Sequence, residues 1–294
     1  MKNSLFLVIF SFVGITSFSQ HPIPYDLKQE DQTLVLPAEL REVSGITIID
    51  PKTLACVQDE EGSVFIYDLQ KQEIKQKIHF AGPGDYEGIA TVGKDIFVLR
   101  SDATLFHIQN YQSTKRSIDS IATGIPNKDN EGLCFDPKNN RLLIGSKSKI
   151  AKGPEFKNLR TIYAFDLKQN KLKEEPLYTY DINSIREFAA KNQIHLPTKP
   201  GKKNPGEQEA ALKFQLSAIY IHPKSNLLYA LSASDYYLFV FNDQGEIIHL
   251  EVLDPEKFNK AEGIVIMPNG DLYVSNEGQA DAPKILRFVE DKKQ

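Results

Sequence analysis

Cysteine is scarce in this sequence: Cys56 and Cys134 are the only two among 294 residues. Both lie inside apolar runs, residues 54–57 and 133–135. Two buried thiols are therefore expected, because free cysteine packs as a small hydrophobe. A bridge between them does not follow from two sequence positions. An excess of positive charge is also missing. The chain has 35 basic and 39 acidic residues, a formal charge of −4, and its basic residues are scattered. That argues against nucleic-acid binding, which calls for a basic face. Common catalytic signatures are absent too. There is no Gly-x-Ser-x-Gly elbow, no His-Glu-x-x-His pair and no phosphate loop. His107, His195, His222 and His249 occupy no shared position, so each is read as structural or superficial.

The early apolar stretch from Leu5 to Phe18 follows Met1-Lys2-Asn3 and ends at the small residues Ser17 and Ser19, before Gln20. It reads as a signal peptide over residues 1–19, leaving residues 20–294 as one mature domain. The stretch is short for a membrane span and is interrupted by Ser11, Gly14 and Ser17. No cysteine stands near the cleavage point, so no lipoprotein anchor is expected. The expectation is an exported chain, periplasmic, cell-envelope or secreted, with no transmembrane span in its mature part.

What the sequence does have is one phrase repeated five times: a small polar or acidic residue, Gly or Ala, then an apolar run. It appears as Ser44-Gly45-Ile46, Glu87-Gly88-Ile89, Glu131-Gly132-Leu133, Ser217-Ala218-Ile219 and Glu262-Gly263-Ile264, at steps of 43, 44, 86 and 45. A period of ~40–45 residues built from short strands is the mark of β-propeller blades. Each repeat offers a first strand, a turn rich in Asp, Pro, Gly and Asn, and a returning strand, as in Leu133–Phe135, residues 136–140 and Leu142–Ile144. Third strands follow at Val64–Tyr67, Leu105–Ile108, Thr161–Phe165, Tyr237–Phe241 and Ile285–Val289.

The double step leaves residues 181–212, a helix-like piece and a Lys/Pro/Gly-rich loop that do not alternate like strands. The sequence thus predicts an all-β, five-bladed propeller with one insertion at 181–212; six blades is the alternative. The insertion is expected to fold over the channel mouth, with Lys199, Lys202 and Lys203 offering anion contacts. The last repeat lacks a fourth strand while Gln32–Leu36 is a surplus one. Gln32–Leu36 is therefore expected to close the final blade, since open edges must be covered.

In such a fold the column Ser44, Glu87, Glu131, Ser217, Glu262 meets around one mouth of the central channel. Ends of second strands add Asp59, Asp102, Asp235 and Asn276 to that mouth. Carboxylates crowded together stay ionised only with a cation or strong donors nearby. Oxygen donors without His or Cys favour a hard cation, above all Ca²⁺. Glu87, Glu131 and Glu262 are the expected central ligands, with Asp85, Asn130, Asp59 or Asn276 completing the shell. A Glu-Gly at a strand entrance also serves as a simple turn cap, and the two readings compete.

The phrases Asp85-Tyr86-Glu87-Gly88-Ile89, Asn130-Glu131-Gly132-Leu133, Ser217-Ala218-Ile219-Tyr220-Ile221-His222-Pro223 and Ala261-Glu262-Gly263-Ile264 resemble those of the SdiA-regulated family of bacterial exported proteins. The resemblance covers about Glu39 to Val289. It implies a five-bladed propeller, distantly similar to NHL-repeat proteins, with a bound calcium ion; it implies no established reaction. Ser44 and Ser217 depart from the Glu of the other repeats, so a five-fold shell is not required. The favoured function is a calcium-binding module for an unidentified ligand or cell-envelope partner at the channel face. The alternative is an enzyme: a metal-dependent hydrolase of esters, lactones or phosphoesters, or a glycoside hydrolase.

Overall fold

Many strands in this chain carry unbroken apolar runs, such as Ser63–Asp68 and Ala261–Ile266, buried at every residue. Strands read this way when both faces of a sheet are covered. Here five sheets stand around one axis and cover each other. The computed structural model describes residues 22–200, 206 and 208–291. The expected leader, residues 1–19, lies outside the described residues.

Blade one pairs Val43–Asp50, Thr53–Gln58, Ser63–Asp68 and Glu73–His79 in order from the axis outward. Blade two pairs Tyr86–Val92, Asp95–Arg100, Thr104–Gln109 and Ser117–Ala122. Its outer strand has no clear sequence signal because it is exposed at nearly every position. Blade three has Asn130–Asp136, Arg141–Ser146 and Leu159–Asp166, with Lys171–Leu172 and Tyr178–Asp181 sharing the outer edge. Blade four runs Ala218–Ile221, Leu228–Ser232, Tyr237–Phe241 and Ile247–Val252. Blade five runs Ala261–Ile266, Leu272–Asn276 and Lys284–Phe288, and its fourth strand is Gln32–Val35. All these pairs are antiparallel.

Closure follows the expectation. Gln32 pairs with Arg287 and Val35 with Lys284, so the two ends of the domain share one sheet and no edge is left between first and last blades. Leu34 and Leu36 are buried there.

The core is divided into five clusters, one in each wedge between neighbouring blades. Val57, Ile78, Ile89 and Ile108 join blades one and two; Leu99, Leu105, Leu133 and Phe165 join two and three. Ile162, Ile219, Phe239 and Phe241 join three and four; Tyr229, Val240, Ile264 and Leu286 join four and five; Leu54, Phe65, Val265 and Ile285 close the ring. Cys56 and Cys134 are buried free thiols in different blades, as the apolar runs implied.

The insertion is where the structure departs from the sequence pattern. It holds a helix, Ile182–Lys191, capped by Asp181 through the Asn183 amide, and a short ribbon of Thr198–Pro200 with Gln208–Ala210. Ile182, Ile185, Ala189 and Leu196 pack against Tyr180, Phe214, Phe241 and Leu250. The helix therefore buries its apolar side in the wedge between blades three and four rather than crossing the channel mouth. No described residue of the insertion lines the channel. Lys202 and Lys203 lie outside the described residues.

Candidate functional site

Each inner strand begins at the same end of the channel, and four begin with a break in register. The ladder skips between Val43 and Gly45, Tyr86 and Gly88, Asn130 and Gly132, and Ala261 and Gly263. The skipped residues are Ser44, Glu87, Glu131 and Glu262. A bulge leaves its extra residue unpaired and re-aims its side chain. Here the re-aimed side chains meet at the axis, where Ser44, Glu87, Glu131, Ser217 and Glu262 line one narrow cavity of about 10 Å³.

The small residue that follows each bulge is needed for closeness. A Cβ built on Gly88 would stand 2.6 Å from Leu133 Cβ and 2.8 Å from the Glu131 carbonyl of the next blade. One on Gly263 would stand 2.9 Å from Ile46 Cγ1. Inner strands thus touch through missing side chains, and this holds the cavity to its size.

The two serines of the column staple the ring. Ser44 Oγ donates to the Tyr86 carbonyl at 2.6 Å, and Ser217 Oγ to the Ala261 carbonyl at 2.8 Å. Each therefore bonds to the residue just before the glutamate of the next blade.

Two lysines complete the mouth. Lys147, one residue beyond the second strand of blade three, is ion-paired with Glu131. Lys260 lies 3.7 Å from Glu262 and 2.5 Å from Glu277. Neither lysine is among the residues expected from the sequence. The signal that could have found them is positional: Lys147 occupies the repeat column of Asp59 and Glu277, and Lys260 that of Asp85.

Burial pushes the carboxyls of Glu87, Glu131 and Glu262 up from their ordinary range, with their mutual repulsion adding to it at Glu87 and Glu131. Lys147 and Lys260 pull the other way at Glu262, and Lys147 does so at Glu131 and Glu87. Burial also works against the charge of Lys147, but the three glutamates outweigh it and hold the ammonium above its usual range. Among the oxygens of the three glutamates, Glu131 Oε2 is buried with no hydrogen-bond partner among the described residues.

The other expected ligands are distributed differently. Asp85 is exposed and adds its charge to Glu87. Asn130 is fully engaged, accepting from Asn127 and Ser146 and donating to the carbonyls of Ser101 and Asn127. Asp102 forks onto Arg100 at 2.7 and 3.0 Å and ties the following turn through the Thr104 amide. Asp235 accepts from the amides of Lys213 and Phe214 and from Ser232 Oγ. Asp102 and Asp235 are thus held by turns at their own blades, and Asn130 ties blade three to the Ser101 carbonyl of blade two. Asp59 belongs to the rim between blades one and five, where burial, Glu42 and Glu277 raise its carboxyl to about 6. Asn276 sits opposite Ala261 across the ladder, with both side-chain polar atoms buried and unpartnered.

As a donor set the mouth offers oxygen only, a cavity near the minimum for one water, and a buried carboxylate oxygen in want of a partner. That chemistry suits a small hard cation. Among the described residues, however, no group of three or more His, Cys, Asp or Glu side chains stands as a ready-made metal shell. Lys147 and Lys260 hold part of the charge instead.

The SdiA-regulated family model matches residues 25–280. No curated protein matches the chain. Among solved structures, glutaminyl cyclase from Myxococcus xanthus is similar with a TM-score of 0.56 at 11% identity, covering 88% of this chain and 94% of its own. A luciferin-regenerating enzyme has a TM-score of 0.48 at 12% identity, covering 88% and 95%. A streptogramin B lyase has 0.47 at 11%, covering 87% and 97%. At such identities the glutaminyl cyclase likeness is one of fold.

Proposed function

The chain belongs to the SdiA-regulated family, and we propose that it is an exported propeller that holds calcium at its channel mouth and serves as a ligand- or partner-binding module. Glu87, Glu131 and Glu262 would hold the ion, with Asn276, backbone carbonyls and water supplying further oxygens. The observation that carries this reading is the buried, unpartnered Glu131 Oε2 beside a cavity of about 10 Å³. A space that small admits one water or ion and no sugar ring. Three carboxyls face two lysines, so the mouth is short of positive charge when all are ionised.

A hydrolase is the second reading, favoured by the raised Glu87 carboxyl. A buried carboxyl whose proton is held toward neutrality is the kind of group that general acid–base catalysis uses. Its substrate would have to meet that group from outside the cavity, so binding is the better supported function.

The test is calorimetric titration and melting of chelator-treated protein. Calcium should bind the wild type and raise its Tm, because the unfolded chain lacks the assembled site. Glu131→Gln keeps the size of the side chain and should bind more weakly with its fold intact. No calcium binding by the wild type, or equal affinity in the variant, rejects the ion site.

A further inference from the structure

Five of the basic residues that look scattered along the sequence come together in space. Lys157, Arg160, Arg186, Lys199 and Lys213 line one cavity of about 510 Å³, with no acidic residue lining it among the described residues. They come from four places: the start of the third strand of blade three, the insertion helix, the insertion ribbon, and the segment leading into blade four. Lys157 and Arg160 stand at the channel-mouth end of blade three, where Leu159 pairs with Asp181 and the inner strand begins.

The two arginines are fixed from behind by backbone. Arg160, 8% exposed, donates from Nε to the Lys147 carbonyl at 3.1 Å and from Nη1 to the carbonyls of Lys157 and Leu159 at 3.2 and 2.9 Å. Its Nη2 has no acceptor among the described residues. Arg186 donates to the Leu212 carbonyl at 3.1 Å and to Asn183 Oδ1 at 3.0 Å. A guanidinium positioned by neutral carbonyls keeps its whole charge for a ligand. Among the described residues no carboxylate forms an ion pair with any of the five. Asp129 and Asp235 act on Arg160 only at longer range, and Asp235 is occupied by its own turn.

We propose that this cavity binds a small phosphorylated molecule, its phosphoryl groups held by Arg160 and Arg186 and its remaining charge met by the three lysines. The volume is that of a small-molecule site. Cavity walls of one sign concentrate a counter-charged ligand, and the guanidinium N–H groups left free make charge-assisted hydrogen bonds to phosphoryl oxygens. Five positive charges exceed what one carboxylate would neutralise, which points to a polyanion. The site is separate from the glutamate ring, although the Lys147 backbone joins them: its carbonyl anchors Arg160 while its ammonium pairs with Glu131.

The experiment is calorimetric titration of the full chelator-treated chain with pyrophosphate and with citrate, at low and high salt. Pyrophosphate should bind one per chain, more tightly than citrate, and weaken as salt rises. Lys157 and Lys213 are exposed, so the Lys157→Gln/Lys213→Gln double variant should fold with an unchanged Tm and bind at least tenfold more weakly. Arg186→Lys should also bind more weakly, whereas Lys94→Gln, which lies elsewhere in blade two, should bind like the wild type. No pyrophosphate binding, equal affinity for citrate, or undiminished binding by the double variant overturns the proposal.

Discussion

Lys147 reaches across the first two strands of blade three to pair with Glu131, its side chain 32% exposed and that of the glutamate 2%. The lysine is therefore the solvent-side cap on a carboxylate sunk in the channel. Breaking a buried pair from one side leaves an uncompensated charge, which costs about 3–5 kcal/mol. Lys147→Gln should lose about that much stability in metal-free protein, measured by urea unfolding. Calcium should bind the variant more tightly than the wild type, since the competitor for Glu131 is gone. Unchanged metal-free stability would show that the pair does not compensate the ring.

The glutamate ring sets a pH dependence whose sign follows from its raised carboxyls. Glu87 moves from an ordinary value of 4.5 to about 9, so the folded state holds a proton that the unfolded chain has already released. Stability is then complete below about pH 4.5 and falls as pH rises toward 9. Metal-free protein should lose several degrees of Tm between pH 5 and pH 8, and Glu87→Gln should flatten that slope. Added calcium should restore most at the alkaline end, where the carboxylates are free of protons. A Tm of the metal-free wild type that climbs across this window contradicts the account.

Gly88→Ala tests the close approach of blades two and three. The added methyl would press on Leu133 Cβ and the Glu131 carbonyl. Such overpacking costs about 1–3 kcal/mol, and the shift should disturb the glutamates on both strands. Gly82→Ala, whose added Cβ meets nothing within 4 Å, is the matched control. Equal unfolding midpoints for the two variants would remove the packing argument.

Deleting residues 20–37 removes the outer strand of blade five together with the buried side chains of Tyr25, Leu27, Leu34 and Leu36. The edge of Lys284–Phe288 would then be open. A sharply lower Tm and self-association in sedimentation are expected; an unchanged melt would mean that the ring closes without its strand.

Several features of the fold are legible in the amino-acid order, because they are repeated locally. The Gly or Ala column at 45, 88, 132, 218 and 263 marks where inner strands touch, and contact at the axis recurs once per blade. The surplus strand near residue 32 and the missing fourth strand of the last repeat imply each other. Outer strands are harder to read: Ser117–Ala122 carries no apolar face because only one side of it has a neighbour.

Periodicity alone is enough for the fold class and the column that supplies Glu87, Glu131 and Glu262, since side chains that recur at one period must share one place. The number of blades needs, in addition, the stretch 181–212, which does not alternate like strands. What those residues meet is a matter of packing in three dimensions. Asp102 and Asp235 turn into their own blades and Asn130 toward the Ser101 carbonyl of blade two, because nearby backbone groups and side chains are the nearer partners. Lys147 and Lys260 turn toward the glutamates, because carboxylates buried without cations would repel each other. The cavity of Lys157, Arg160, Arg186, Lys199 and Lys213 exists only where a helix wedges between blades three and four and brings distant cations to one wall.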